Sequence, residues 1–167
     1  MSCGGQTYGT VVIGFQTWMA KNLNYKVTGS KCYGNAESDC NKYGRLYDWE
    51  TAKMVCPSGW HLPSVSDWGE LESYVESDNG CISCAGKHLK AKNGWNSGGN
   101  GVDTYGFSAL PGGYYGGSFR GAGTHGRWWT STDDIAYAHY RSMDDREGVQ
   151  SDSSDKSYLY SVRCVQD

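Results

Sequence analysis

The nine residues CPSGWHLPS (Cys56–Ser64) restrict what this chain can fold into more than any other stretch. Before them, Trp49, Ala52 and Val55 recur three apart over Asp48–Val55, the pattern of a short amphipathic helix that Pro57 stops. After them, Ser64 has the chemistry of an N-cap, with Asp67 three residues on. Trp68, Leu71 and Val75 then share one face of a second helix, which ends near Ser77–Gly80. A second cysteine, Cys164, sits in SVRCV (Ser161–Val165), an apolar, strand-like end. A cysteine closing one helix and another in the last strand suggest a domain whose two ends are stapled together.

At 167 residues the chain is long enough for one domain with a real core, expected over residues 11–167 behind a flexible segment at 1–10. Twenty-four Gly, 13 Tyr and 7 Trp beside only 3 Phe and 3 Pro make loops and amphipathic aromatics dominant. Such a Gly- and Tyr-rich surface has the composition of binding loops, where Tyr supplies contact area at low entropic cost. The net charge of −3, with no run of like charges, disfavours nucleic acid and anionic membranes as partners. Seven cysteines allow three bridges with one left over, which favours an oxidising compartment. No segment has signal-peptide character and VVIGF (Val11–Phe15) is too short to cross a bilayer, so the chain reads as a mature fragment or a domain. Cys3, in MSCGG, has two readings: the lipid-bearing cysteine of a bacterial lipoprotein, or a free thiol on a disordered terminus.

Elsewhere the pattern is strand-like. Val11–Leu23 reads as one or two opening strands around a turn at Gly14, and Asn24–Tyr43 as a polar loop closed by Cys32 and Cys40. Cys81–Cys84, His88–Lys90 and Asn93–Gly101 are loop-like. From Tyr105, GFSALPGGYYGG, RWWTST, AYAHYRSM and SYLYSVRCV read as successive short strands between Gly clusters. Two early helices followed by short antiparallel strands predict an α+β domain.

In this order, the blocks QTWMAKNLNY (Gln16–Tyr25), Cys32–Tyr33, YGRLYDWETA (Tyr43–Ala52), CPSGWHLPS, Asp67–Trp68, Leu89–Lys90, Gly94–Trp95, DTYGFSALPGG (Asp103–Gly113), WWTST (Trp128–Thr132) and SVRCV span nearly the whole chain. They closely resemble the Fibrobacter succinogenes major paralogous domain family. That family consists largely of bacterial surface proteins or lipoproteins, is grouped with the C-type lectin-like fold, and has no established enzymatic activity. The resemblance implies two helices, a long irregular loop region, and strands that bring the termini together. It also implies a bridge from Cys56 to Cys164, closing a loop of over 100 residues and contributing about 4–5 kcal/mol by loop entropy. Two local bridges, Cys32–Cys40 and Cys81–Cys84, are the expected use of the other cysteines.

Against that background the chemical motifs are weak. Sugar-binding C-type lectins hold calcium with an Asn or Asp beside a cis-proline, but neither EPN nor QPD is present and the only prolines are Pro57, Pro63 and Pro111. Asp133, Asp134, Asp144, Asp145 and Glu147 offer oxygens, yet a solvated face is the simpler reading. Cys81-x-x-Cys84 with His88 invites zinc, but Cys32 and Cys40 are spaced too widely to complete the usual two close pairs. A redox role for Cys81 and Cys84 is weaker still, since no strand precedes them. No metal or other cofactor is therefore expected. His61 reads as a hydrogen-bonded scaffold residue, and no acid–base or nucleophile pair falls in a catalytic motif. The fold's distant kin include formylglycine-generating enzymes, which keeps an enzyme as the least favoured reading. Of the adjacent Trp128 and Trp129, opposite faces of a strand put at least one in the core, and the resemblance assigns both to the scaffold.

Asparagine is unevenly distributed: residues 1–100 contain eight and residues 101–167 none. The gaps between scaffold blocks in that tail mix Tyr, Ser, Asp, Gly, Arg, His and Ala without periodicity. Family members usually carry Asn and Gly there. Diversity-generating retroelements mutate adenines in a C-terminal repeat, chiefly in Asn codons, and replace Asn with this mixture; several of their targets have the C-type lectin-like fold. The expectation is a variable, receptor-binding face. Its contacts are placed at Tyr114, Tyr115, Phe119 and Arg120 on one loop and His125 and Arg127 on the next. Asp133, Asp134, Ile135, Tyr137 and His139, then Ser142, Asp144, Asp145, Arg146 and Glu147, form the neighbouring loops and strand edges, with Tyr158 and Tyr160 beside them. Aromatics with Arg and Asp are the usual anchors of a protein-binding patch, so replacing Tyr137 and Tyr160 together should abolish binding at little cost in stability. The functional reading is a non-enzymatic binding domain, outside the cell or on a cell or virion surface, whose ligand is a protein. A carbohydrate adhesin for polysaccharide attachment is the rival.

Overall fold

The computed structural model describes residues 1–167. The chain opens with two hairpins, β1 (Ser2–Cys3) with β2 (Gln6–Thr7) and β3 (Thr10–Ile13) with β4 (Gln16–Met19). Helix α1 (Glu37–Tyr43), strand β5 (Leu46–Tyr47), helix α2 (Trp49–Ala52) and strand β6 (Trp60–His61) lead to the long helix α3 (Val65–Asn79) and to α4 (Ala85–Leu89). Then come strands only: β7 (Gly112–Tyr115), β8 (Phe119–Ala122), β9 (Gly126–Asp133), β10 (Tyr137–Met143), β11 (Gln150–Asp155), β12 (Tyr160–Ser161) and β13 (Val165–Gln166). The class is α+β, with four α-helices rather than the two expected.

Seven strands form the main sheet in the order β11-β10-β9-β12-β5, with β7 pairing both β8 and β9. Strand β9 lies inside it, and its successive residues face opposite sides. Trp128 joins a cluster with Trp18, Trp68, Leu71, Phe107 and Met143, while Trp129 joins Tyr47, Trp49, Tyr140 and Tyr160 on the other side. Both indoles are fully buried, so both are scaffold. Each spends its N–H on a buried acceptor, Trp128 on Asn22 Oδ1 (2.8 Å) and Trp129 on the Tyr47 carbonyl (2.8 Å).

Helix α3 forms where its sequence directs. The Ser64 hydroxyl accepts from the Asp67 N–H and the Asp67 carboxylate accepts from the Ser64 N–H (2.7 Å), a closed capping box. Gly80, in the left-handed conformation, ends the helix. Trp68, Leu71 and Val75 are its buried face.

A second, four-stranded sheet runs β3-β4-β13-β6, so the last strand lies between the opening hairpin and the segment after Cys56. Cys56 is bridged to Cys164, Cys32 to Cys40 and Cys81 to Cys84. The first ten residues, expected as a flexible segment, are folded: the Tyr8 N–H donates to the Met1 carbonyl (2.8 Å), and Cys3 and Tyr8 are buried in the first cluster. Cys3 is a free thiol, as in one of its two readings, but a buried one on an ordered hairpin rather than on a disordered terminus. Its thiol points at the Val55 carbonyl (3.7 Å).

Candidate functional site

The register of the main sheet decides which tail residues meet. Arg127 on β9 is opposite Ser142 on β10, which is opposite Gln150 on β11. One row along, Trp129 is opposite Tyr140, which is opposite Asp152. These two rows share a face, and Tyr160 from β12 and Tyr114 from β7 complete it. The Arg127 guanidinium stacks on Tyr114 with its carbon 3.8 Å from the ring centroid, and lies 5.1 Å and 5.5 Å from the rings of Tyr140 and Tyr160. Its Nη1 donates to the Tyr160 hydroxyl (3.2 Å), while Tyr140 donates to Asp152 Oδ2 (3.4 Å).

Two buried polar atoms on this face have no partner: Arg127 Nε, a donor, and Gln150 Oε1, an acceptor. Buried polar groups are normally paired, so this row has unspent hydrogen-bonding capacity of both signs. Burial pushes the Tyr140 hydroxyl up to about 12 and raises that of Tyr160, so both are neutral donors near neutral pH. The face can therefore offer a fixed cation, aromatic edges and amide and hydroxyl groups to an incoming polar surface.

The other candidates are dispersed. Tyr115 and Phe119 meet edge to face at 5.0 Å at the side of the sheet, with Tyr33 5.3 Å from Phe119 and Lys31 above Tyr115. Arg120 is exposed, its Nε donating to Ser118, and His125 is half-buried with Nδ1 2.9 Å from the Thr124 hydroxyl. Asp133, Asp134, Ile135 and Tyr137 form the β9–β10 turn, which Lys156 ties down through Asp133 (2.6 Å) and the Asp134 carbonyl (3.2 Å). Ile135 is fully exposed there and Tyr137 half-exposed.

Four candidates, Tyr160, Asp144, Arg146 and Glu147, need correction as free ligand contacts. Tyr160 is 0% exposed and packs at 4.2 Å on Trp129, so it is a core residue. It is not in one patch with Tyr137 either, because Tyr137 and His139 alternate with Tyr140 along β10 and share the phase of Arg141, whose guanidinium pairs with Glu72 on α3 (2.8 Å). Asp144 is buried and takes Arg146 through both carboxylate oxygens, and this contact holds its carboxyl below the usual range. The tract Asp144–Glu147 is bound to α4 and its end: Lys90 Nζ donates to the Asp144 and Arg146 carbonyls (2.6 and 2.8 Å), and Lys87 meets Glu147 (3.0 Å). Asp145 remains exposed.

Tyr140, Gln150, Asp152 and Ser154 were not among the expected contacts. No alternation marks the three on β11, because QSDSSD (Gln150–Asp155) is polar at every position and only the pairing to β10 sets its register. Cys81, Cys84 and His88 do bring three donor atoms within 4.8 Å of one another. With the two sulfurs bridged, neither is a thiolate, and His88 Nδ1 lies 2.8 Å from the Thr104 hydroxyl. Cys32, Glu37 and Cys40 form a similar group around another bridge. His61 sits between two carboxylates, Asp167 (2.7 Å) and Asp67 (3.4 Å), which hold the ring at the start of α3. No helix is long and apolar enough to cross a membrane.

Comparison with curated proteins and with solved structures returned no match. Comparison with family descriptions returned the Fibrobacter succinogenes major domain, matching residues 11–166, from the first residues of β3 to the end of β13. The resemblance carried by CPSGWHLPS, WWTST and SVRCV thus extends over almost all of the chain, which belongs to the Fibrobacter succinogenes major domain family.

Proposed function

We propose that this chain is a non-enzymatic binding domain of C-type lectin-like architecture, displayed outside the cell, whose ligand is a protein received on the Arg127 face of the main sheet. The observation that carries the reading is the row Arg127–Ser142–Gln150, where a buried donor on Arg127, set between Tyr114 and Tyr140, and a buried acceptor on Gln150 lie without partners. Arginine and tyrosine in a well-packed setting are the usual hot spots of protein interfaces. The architecture is supported by the Cys56–Cys164 bridge and by the pairing of β13 with the opening hairpin, which brings both ends of the domain together. Three disulfides support an oxidising, extracellular setting. The Asn-free tail supports diversification by a retroelement, since the residues around Arg127 all lie in it.

Screening the intact chain against cell-surface protein and glycan arrays, each with and without chelator, tests the ligand class. Binding to a protein that Arg127→Ala weakens by about 30-fold or more, with an unchanged fold, is the expected result. Chelator-sensitive binding to polysaccharide instead would favour the adhesin reading, and turnover of a substrate would end the non-enzymatic one. The retroelement origin is tested by sequencing downstream of the gene: a near-identical template repeat and a reverse transcriptase are expected, and without a template the idea fails.

A further inference from the structure

Away from the Arg127 face, a cleft of about 480 Å³ opens between the loop after β4, helix α1 and the segment Gly106–Leu110. Its charge is one-sided. Of the 16 residues that line it, Lys21, Lys42 and Arg163 are basic and none is Asp or Glu, in a chain whose net charge is −3. Arg163 is 1% exposed, the most deeply buried cation of the molecule. Its hydrogen bonds go only to neutral acceptors: Nε and Nη2 donate to Asn22 Oδ1 (3.1 and 2.8 Å), and Nη1 donates to the Phe107 carbonyl. Asn22 Oδ1 already takes the Trp128 N–H as well.

A guanidinium has five N–H donors, so Arg163 has more than these contacts use. Asp103, the acid whose charge reaches it, has its own oxygens engaged by the Ser108 N–H and hydroxyl. Burial accordingly pulls Arg163 down to about 9, as expected for a cation taken out of water without an adjacent anion. The same cleft holds a second unspent group, Asn24 Oδ1, a buried acceptor with no partner.

We propose that this cleft binds a small organic carboxylate that carries a neighbouring hydroxyl or N–H. The carboxylate lies toward Arg163 between Lys21 and Lys42, and the neighbouring donor reaches Asn24. A sugar acid and the C-terminus of a peptide share this chemistry. The site is separate from the Arg127 face, and its occupancy does not depend on what that face receives.

The test is titration of the isotope-labelled whole chain with glucuronate and with N-acetylglycine, each against its neutral counterpart, glucose and N-acetylglycinamide. Amide shifts confined to Asn24, Lys42, Gly44 and Ser108, produced by a carboxylate and not by its neutral counterpart, are expected. The arm that binds more tightly identifies the source. Lys21→Ala with Lys42→Ala, both exposed positions, should weaken binding about tenfold with the spectrum otherwise intact. Arg163→Lys should weaken it further where its spectrum shows a folded chain. Equal shifts with the neutral compounds, no shift with either carboxylate, or no effect of the lysine pair would each overturn the proposal.

Discussion

Tyr160 and Tyr137 show how far two tyrosines of one tail can differ. Tyr160 is enclosed by Trp129, Tyr140, Tyr114 and Tyr158, whereas Tyr137 ends a turn in solvent. Tyr160→Ala should cost about 3–5 kcal/mol in chemical denaturation, and Tyr137→Ala less than about 0.5 kcal/mol. Equal effects would show that the face is not packed as described. Gly44 is a second decisive position: its φ is +79°, and a Cβ there would meet the Leu23 carbonyl at 2.8 Å. Gly44→Ala should therefore destabilise by more than the roughly 1 kcal/mol of an unfavourable backbone alone. At this scale residue type was legible and environment was not. That Trp128 and Trp129 face opposite ways follows from strand geometry, but that both are covered depends on elements from distant parts of the chain.

Helix α3 was readable because its signals are local: a capping serine, an acid at the third position, apolar spacing and a terminal glycine. Burial works to raise the Asp67 pKa, but hydrogen bonds from Ser64 and the His61 contact outweigh it and hold the carboxyl below its usual range. With the folded value depressed, the stabilisation is present above the unfolded value of about 3.9 and is lost as pH falls below it. Asp67→Asn should cost about 1 kcal/mol near neutral pH and should flatten the acid limb of the stability curve, measured by denaturation from neutral pH downward. Besides the β1–β2 hairpin, α1, α4 and β11 escaped the sequence reading. Helix α1 buries only Cys40 and Tyr43, too few for a period. Helix α4 has five residues and packs closely at Gly86, where a Cβ would come within 2.6 Å of the Gly148 carbonyl oxygen. Strand β11, with the sequence QSDSSD, has no apolar residue and is held by backbone pairing to β10. Gly86→Ala should push the Glu147–Gly148 segment away, seen as faster amide exchange there together with a lower Tm.

For the whole molecule the Cys56–Cys164 bridge is the longest constraint, joining residues 108 apart. Replacing both cysteines by Ser should lower stability by about 4–5 kcal/mol, chiefly by freeing the unfolded chain. Guanidinium titration of the variant checks this, and a loss no larger than that from the Cys32–Cys40 pair would contradict it. By itself the sequence determined the α+β class, the helix α3 with its caps, the cysteines that pair and the family. Each of these rests on neighbours in the chain or on a motif read in place. Only the tertiary structure decided that Arg127 meets Tyr114, Tyr140 and Tyr160, that Tyr160 is core, that Cys3 is buried, and that Arg163 borders a cleft without a carboxylate. Those facts depend on strand register and on sheet faces, and a one-residue change of register would reverse them while leaving the local pattern almost unaltered.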